Sequence, residues 1–423
     1  MAALPALSSV GTIYVRHVGA GAKNGSDWAN AYDSLQTALN AVPASTPMTI
    51  AVQASTSTQA YAVCARTFGG YQNPVSGTVN FQGGWQDVDT TPTQTGRSAV
   101  KSEAGDQPGI SLTAGNHSCP LTVTVNRFNF TNVTQGIRLY SDGQNDDADC
   151  LMTVSNCAVR AKTDGLYIYY PKTFTPDGAG GLAMVTAENV DIAAGTGGAG
   201  HGVYVYGAWM GSAIRATGVD ELTGVPRVST ITSSNGCGVY FAGFNFNRTF
   251  QATFSNTVIY GCTGQGLYLA ATEKDPTYDF GYNTLQAVLR NCTIVDNTGD
   301  GLCMREMPAA SGAHSANIAN CIFANNGSGH GVALGTNGLP RFTCTESYNV
   351  FFNNDVLTNA VPKVFAATTS ANDPLFRGVR AKPSPWYWLG PKASPAYHTG
   401  STGMNRGAYQ NEGFPFGTVI VLW

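Results

Sequence analysis

The sequence predicts an all-β chain: a single-stranded right-handed parallel β-helix, a solenoid with an N-terminal capping helix and an irregular C-terminal cap. Three observations predict it. Glycine followed by alternating apolar residues recurs in GISL (Gly109), GIRL (Gly136), GLYI (Gly165), GVYV (Gly202), GVYF (Gly238), GLYL (Gly266), GLCM (Gly301) and GVAL (Gly331), at spacings of 27, 29, 37, 36, 28, 35 and 30 residues. An offset series, Asn followed by apolar residues one and three positions on, runs in phase with it: Asn156, Asn189, Asn256, Asn291, Asn320 and Asn349, with Asn126 an imperfect earlier member and Gly218 where one more Asn is due. Charged residues make up 12% of the 423, against roughly 25% in an ordinary globular chain, and 50 residues are glycine.

Each element follows from these patterns. Residues 1–60 hold an N-terminal strand and a helix over 28–42, WANAYDSLQTALNAV, which places Tyr32, Leu35, Leu39 and Val42 on one face as a lid for the first rung. Residues 61–371 are the rungs. Period-2 alternation excludes helical repeats, and a fixed period near 30 residues means one turn of coil per repeat. The recurrent Asn then lies at a strand start, where stacked amides, one strand spacing apart, bond each other and the turn backbone inside the coil. Residues 372–423 lose the repeat, carry Trp386, Tyr387 and Trp388 among prolines, and are expected to cap the far end, whose open edge would otherwise pair with other chains.

Composition excludes whole classes of function. A net charge of −3 without any block of like charges gives no field for nucleic acid or anionic membrane. The longest apolar runs, such as GTVIVLW at the end, fall short of the roughly 20 residues of a bilayer-spanning helix, so no membrane insertion is expected. The start, MAALPALSSV, lacks the basic n-region of a secretory signal and carries Pro5 in its apolar stretch. The expectation is a protein outside the cell (secreted, on the cell surface or in a virion) whose signal has been removed or which leaves by another route.

The stretches IYVRHVGAGAKNGSDWANAYDSLQTAL, FQGGW at 81–85 and DPLFRG…SPAYHTGSTGMNRGAYQ resemble the secreted right-handed parallel β-helix proteins related to the pectate-lyase-like superfamily. The resemblance spans nearly the whole chain and implies the fold. About activity it says little, since members include adhesins and surface proteins beside polysaccharide-active relatives, and phage tailspikes share the architecture.

That resemblance raises the question of GHG at 200–202 and 329–331. In pectin hydrolases a Gly-His-Gly is accompanied by Asn-Thr-Asp, a paired Asp-Asp and a later Arg-x-Lys. Here NTGDG at 297–301 offers Asp300 without an Asp pair, and Arg341-Phe-Thr has no Lys. His201 and His330 occupy the slot before the repeat glycine that elsewhere holds Gln135, Asp164, Cys237, Gln265 and Asp300. The reading is therefore of turn residues, with His330 and Asp300 the one candidate catalytic pair. A lyase would draw its base and its cation from Arg138, Lys162, His201, Lys274 and Arg305, no two of which the spacing brings to one spot. Asp142, Asp146, Asp147 and Asp149 cluster in SDGQNDDAD, a set that suits Ca²⁺ but matches no defined calcium loop, so a solvated acidic turn is the plainer reading. Cys157, Cys292 and Cys321 follow the ladder Asn and should point inward as small core fillers. Cys119 and Cys150 precede Asn126 and Asn156 by 7 and 6 residues, which sets them side by side within disulfide reach.

The feature that carries most is a row of tyrosines. If the residues one and three after each glycine face inward, those two and four after it face out. The outward sites are Tyr167, Tyr204, Tyr240 and Tyr268 in one column and Tyr140, Tyr169 and Tyr206 in the next. Tyr170, Phe174, Trp209, Phe244, Phe246, Tyr278 and Phe280 follow the same strands and could wall the stripe into a groove. Tyrosine offers a ring for a sugar's CH face and a hydroxyl for its oxygens. It is also simply a good strand residue, and loops or a neighbouring subunit in a homo-oligomer could cover it. Three functions follow: a surface β-helix presenting an aromatic groove to a polysaccharide or a neighbouring subunit, a polysaccharide lyase or glycoside hydrolase acting on an acidic polysaccharide, or an assembly protein that binds no sugar.

Overall fold

The computed structural model describes residues 11–374 apart from 70–75, 116–118, 142–148, 171–181, 208, 219–226, 244–248, 272–283, 307–313, 328, 336–341, 359–360 and 363–365, together with 376–377 and 388–389. Within them the chain winds into a right-handed parallel β-helix of three long sheets, one strand of each per turn. The first sheet runs from Gly11–Val15 through strands such as Leu121–Asn126 and Thr284–Arg290 to Phe342–Ser347. The second runs from Tyr61–Ala62 to Val350–Phe352. The third, from Cys64–Phe68 to Asp355–Thr358, contains the strands that follow the repeat glycines. The first sheet thus begins within the segment 1–60. Among the described residues no helix is long and apolar enough to cross a membrane.

The glycines recur because nothing else fits. A Cβ on Gly109 would lie 2.6 Å from the carbonyl oxygen of Gly136; one on Gly136, 2.6 Å from that of Gly165; and the series continues through Gly202, Gly238, Gly266, Gly301 and Gly331 at 2.4–2.7 Å. Each repeat glycine sits against the next. This column holds the third-sheet strands in register, and the residues one and three after each glycine, from Ile137 and Leu139 to Val332 and Leu334, are buried as the alternation requires.

Between the first and second sheets the chain turns through a residue with left-handed backbone, which Asn tolerates better than other non-glycine residues. Asn156, Asn189, Asn256, Asn291 and Asn320 all have φ between 49° and 55°. Their amides bond along the axis: Asn156 Nδ2 donates to Asn126 Oδ1 at 3.0 Å, Asn189 to Asn156 at 3.4 Å and Asn291 to Asn256 at 3.3 Å. The ladder differs from expectation at four points. Arg127, φ 62°, takes the turn backbone while Asn126 lends only its side chain. Ala216, not Gly218, stands in the column between Asn189 and Asn256, and its carbonyl and the Thr217 N–H bridge the gap. Tyr348, φ 55°, takes the last turn and shifts Asn349 into the inward slot of Cys321. Finally, Oδ1 of Asn291 is buried without a hydrogen-bond partner, so the ladder does not pass through it to Asn320.

A second amide ladder lies at the corner between the second and third sheets. Asn297 Nδ2 donates to Asn326 Oδ1 at 2.9 Å, and Asn326 Nδ2 to Asn354 Oδ1 at 2.8 Å and to the Ile294 carbonyl at 3.2 Å. Asn297 and Asn326 are almost wholly buried. Cys157, Cys292 and Cys321 point into the core as expected, and burial pushes the Cys157 thiol up to about 11. The register places Leu121, not Cys119, opposite Cys150, because the first-sheet strand starts only after Pro120.

The N-terminal helix is shorter than 28–42. A 3-10 turn covers Trp28–Asn30 and the α-helix Leu35–Ala41, with Ser34 as its N-cap; Tyr32 is extended between them because its N–H and C=O bond to Tyr14 and Arg16 of the first strand. Leu35, Ala38 and Leu39 still close the coil, and the Arg66 guanidinium binds the carbonyls of Leu39, Asn40 and Val42 at the helix end. Of the expected C-terminal cap, only residues 372–374 and the antiparallel pair Phe376–Arg377 with Trp388–Leu389 are described; Trp386 and Tyr387 lie outside the described residues.

Asn326→Leu should lower the melting temperature clearly, since it leaves the buried Asn297 side-chain N–H without its acceptor and removes the bonds to Asn354 Oδ1 and the Ile294 carbonyl, at about 1–3 kcal/mol for each buried group left unpaired. Calorimetric unfolding checks this. An unchanged melting temperature would mean that the buried amides do not hold this corner.

Candidate functional site

The register of the third sheet brings the tyrosines together as two columns. Tyr167, Tyr204, Tyr240 and Tyr268 pair in sequence across four strands, with Arg138 before them and Cys303 after; Tyr140, Tyr169 and Tyr206 form the neighbouring column, followed by Ala242, Ala270 and Arg305. All seven tyrosines are partly exposed. The first sheet turns outward a column of Thr124, Thr153, Thr186, Ala213, Thr253 and Val288.

The rings are stacked face to face along the coil axis. Centroids are 4.9 Å apart for Tyr167–Tyr204, 5.4 Å for Tyr204–Tyr240 and 5.1 Å for Tyr240–Tyr268, with planes within 15° of parallel; in the second column Tyr140–Tyr169 and Tyr169–Tyr206 are 5.5 and 5.2 Å apart. Strand spacing dictates this, since equivalent side chains on neighbouring parallel strands recur every ~4.8 Å, close to the thickness of a stacked ring pair. Within the columns ring faces are therefore spent on one another, and the stripe turns ring edges and hydroxyls outward. Partial burial pushes the Tyr167 hydroxyl up to about 12 and those of Tyr204, Tyr240 and Tyr268 upward too, so the row stays protonated at any physiological pH.

An arginine stands at each end. The Arg138 guanidinium lies over the Tyr140 ring at 4.4 Å, and that of Arg305, which is exposed, lies 5.9 Å from the Tyr268 ring. Elsewhere on the coil Arg160 and Arg215 are paired with Asp191 and Glu188. Arg138 and Arg305 have no carboxylate within ion-pair distance among the described residues. Sequence reasoning named both arginines but did not join them to the stripe, although they occupy the same outward offsets, two and four after the glycine, that identified the tyrosines.

Beside the tyrosines runs the polar column that precedes the glycines, bonded along the axis. Asp164 accepts from the His201 N–H at 2.8 Å and from Gln135 at 3.4 Å; His201 Nδ1 accepts from the Cys237 N–H at 3.0 Å; Cys237 Sγ donates to Gln265 Oε1 at 3.3 Å. Burial holds Asp164 above the usual carboxylate range. The His201 ring stacks 4.6 Å from Tyr240 and 5.7 Å from Tyr204, so it belongs to the aromatic face as well as to the turn. With Nδ1 engaged as an acceptor, the neutral ring carries its proton on Nε2, and burial lowers its pKa to about 4. Its one lone pair is thus already used.

The other predicted residues fall as follows. His330 Nδ1 meets Asp355 Oδ1, not Asp300, because the strand Asp355–Thr358 pairs directly with His330–Leu334. Asp300 is buried and bonds the Cys303 thiol. Tyr170 does not wall a groove: it points inward, 2% exposed, and its hydroxyl donates to the Cys119 carbonyl at 3.0 Å. Trp209 opens a first-sheet strand. Asp142, Asp146, Asp147, Phe174, Phe244, Phe246, Lys274, Tyr278 and Phe280 lie outside the described residues, while Asp149 Oδ1 accepts from the Leu182 N–H at 2.9 Å. Among the described residues no three His, Cys, Asp or Glu side chains converge as a metal would require.

No known family model and no curated protein matches the chain. Among solved structures it is similar to the crystal structure of pectate lyase Pel9A, with a TM-score of 0.47 and 13% identity over 95% of this chain and 96% of that one.

The depressed pKa of His201 makes a signed prediction. The unfolded chain takes up this proton near pH 6.5 and the folded one only near pH 4, so the stability His201 contributes is complete above pH 6.5 and is lost as pH falls towards 4. His201→Phe keeps a ring in the stack but does not titrate. The melting-temperature difference between the native chain and His201→Phe should therefore be flat above pH 6.5 and shift against the native chain below it; a difference independent of pH would show that His201 titrates normally.

Proposed function

We propose that the protein binds an extended polysaccharide along the outer face of the third sheet, outside the cell, through the row of tyrosine hydroxyls. One observation carries this reading: seven tyrosines, aligned in two columns and only partly buried, form a continuous aromatic face on one sheet of the coil. Exposed aromatic surface on this scale is uncommon without a partner. Hydroxyls repeating every ~4.8 Å, each able to donate and accept, suit a polymer whose own hydroxyls repeat along the same axis. Ring stacking explains why the face is rigid, which lowers the cost of ordering it around a ligand.

The catalytic alternative, a lyase or hydrolase acting on an acidic polysaccharide, has the His330–Asp355 contact in its favour, since a carboxylate at Nδ1 leaves Nε2 as an acceptor for a substrate proton. Incubation with a polysaccharide panel, followed for reducing ends and for the ultraviolet absorbance of unsaturated ends, separates it from binding alone.

The test of binding uses two double variants. Tyr204→Phe with Tyr240→Phe removes two hydroxyls and keeps the stack, so it should weaken polysaccharide binding at least tenfold, about 1.4 kcal/mol, with an unchanged melting temperature. Tyr204→Ala with Tyr240→Ala should lose binding and also melt lower, because each ring packs against its neighbours. Normal binding by the phenylalanine variant would end the hydroxyl-row reading, and burial of the stripe in a homo-oligomer, visible by sedimentation, would replace it with subunit contact.

A further inference from the structure

We propose that the tyrosine columns form a two-ended clamp for a polyanionic polysaccharide, with Arg138 and Arg305 each holding an acidic group and the hydroxyls between them holding the chain. The inference rests on the glycan reading above and adds to it the charge, the direction and the minimum length of the ligand.

Of the outward residues on the six strands from Ile137–Ser141 to Leu302–Glu306, those two and four after each glycine are Arg138, Tyr140, Tyr167, Tyr169, Tyr204, Tyr206, Tyr240, Ala242, Tyr268, Ala270, Cys303 and Arg305. Two are charged, both arginine, one at each end. The carboxylates of the adjacent column are themselves engaged: Asp164 is buried and bonded to His201 and Gln135, and Asp300 is buried and bonded to Cys303, although Asp300 and Cys303 both also act on the Arg305 guanidinium. Among the described outward strand residues the charge is therefore positive and confined to the two ends. A guanidinium presents a planar fork that matches a carboxylate or sulfate, and these two lack an ion-pair partner of their own among the described residues.

Five strand steps separate the strand of Arg138 from that of Arg305, about 24 Å along the axis. A chain long enough to reach both engages the second arginine as an intramolecular event, at the high effective concentration that tethering supplies. A shorter chain engages one. Affinity should therefore step up when ligand length passes this span, rather than climb evenly with each added sugar.

Alginate oligomers of graded length, with neutral dextran oligomers of matched length, would be titrated calorimetrically against the native chain, Arg138→Gln, Arg305→Gln and the phenylalanine double variant. The expected result is a rise of at least tenfold in alginate affinity across the ~24 Å span, abolished by either arginine substitution, with dextran binding unaffected by both. Alginate binding that is indifferent to the arginines, or that rises smoothly with length, overturns the clamp. If the arginine variants bind normally while the phenylalanine variant does not, the clamp fails and the hydroxyl row stands; if the reverse holds, the clamp stands on charge alone. Absence of binding to either polymer removes both.

Discussion

A steric constraint at the repeat glycines governs the third sheet. Each glycine occupies the space against which the next glycine's carbonyl is packed, with no room for a methyl group between them. A rung shifted by one residue would drive a valine or leucine Cβ into that carbonyl and also turn a row of apolar side chains to water. The register is therefore set twice over, by backbone contact and by burial. Everything on the outer face inherits it: tyrosines at one offset fall one above another, and their rings stack because the strand spacing allows nothing else.

The corners solve a different problem. A chain with so few charges must satisfy its buried turn groups by neutral hydrogen bonds, and the asparagine side chain does so in both directions, accepting from one rung and donating to the next. Where an asparagine is missing, backbone groups of Ala216 and Thr217 complete the bonding between Asn189 and Asn256, whereas the buried Oδ1 of Asn291 is left without a partner. The spacing of the repeats, in contrast, varies by up to ten residues. The variation falls in the connections from the third sheet back to the first, and in one corner between the first and second sheets, residues 216–228, while the remaining corners stay short. Much of the length variation thus follows the strands that carry the tyrosines, while the strand register stays the same.

The site is built from neutral parts. His201 enters the stack uncharged, with its acceptor nitrogen committed to a backbone N–H, and burial raises the hydroxyl pKa values of Tyr167, Tyr204, Tyr240 and Tyr268. Burial of a charge among these rings would be costly, and the two cations of the face stand at its ends, where water still reaches Arg305. Rigidity, neutrality in the middle and charge at the margins follow from one arrangement.

The sequence by itself determined the period, the phase of the strands, the glycine column, the inward and outward faces, and hence that the seven tyrosines share one surface. These are properties of alternation and repetition, which a linear pattern records directly. It did not determine that the ring faces would be turned to one another, that His330 would meet Asp355, that Cys119 would fall out of line with Cys150, or that Arg127, Ala216 and Tyr348 would stand in the turn column. Each of those depends on which residue of one rung lies over which residue of the next. Counting along the chain cannot supply that offset where neighbouring rungs differ in length; only hydrogen bonding between stacked strands does, because it aligns the rungs regardless of how many residues the intervening loop contains.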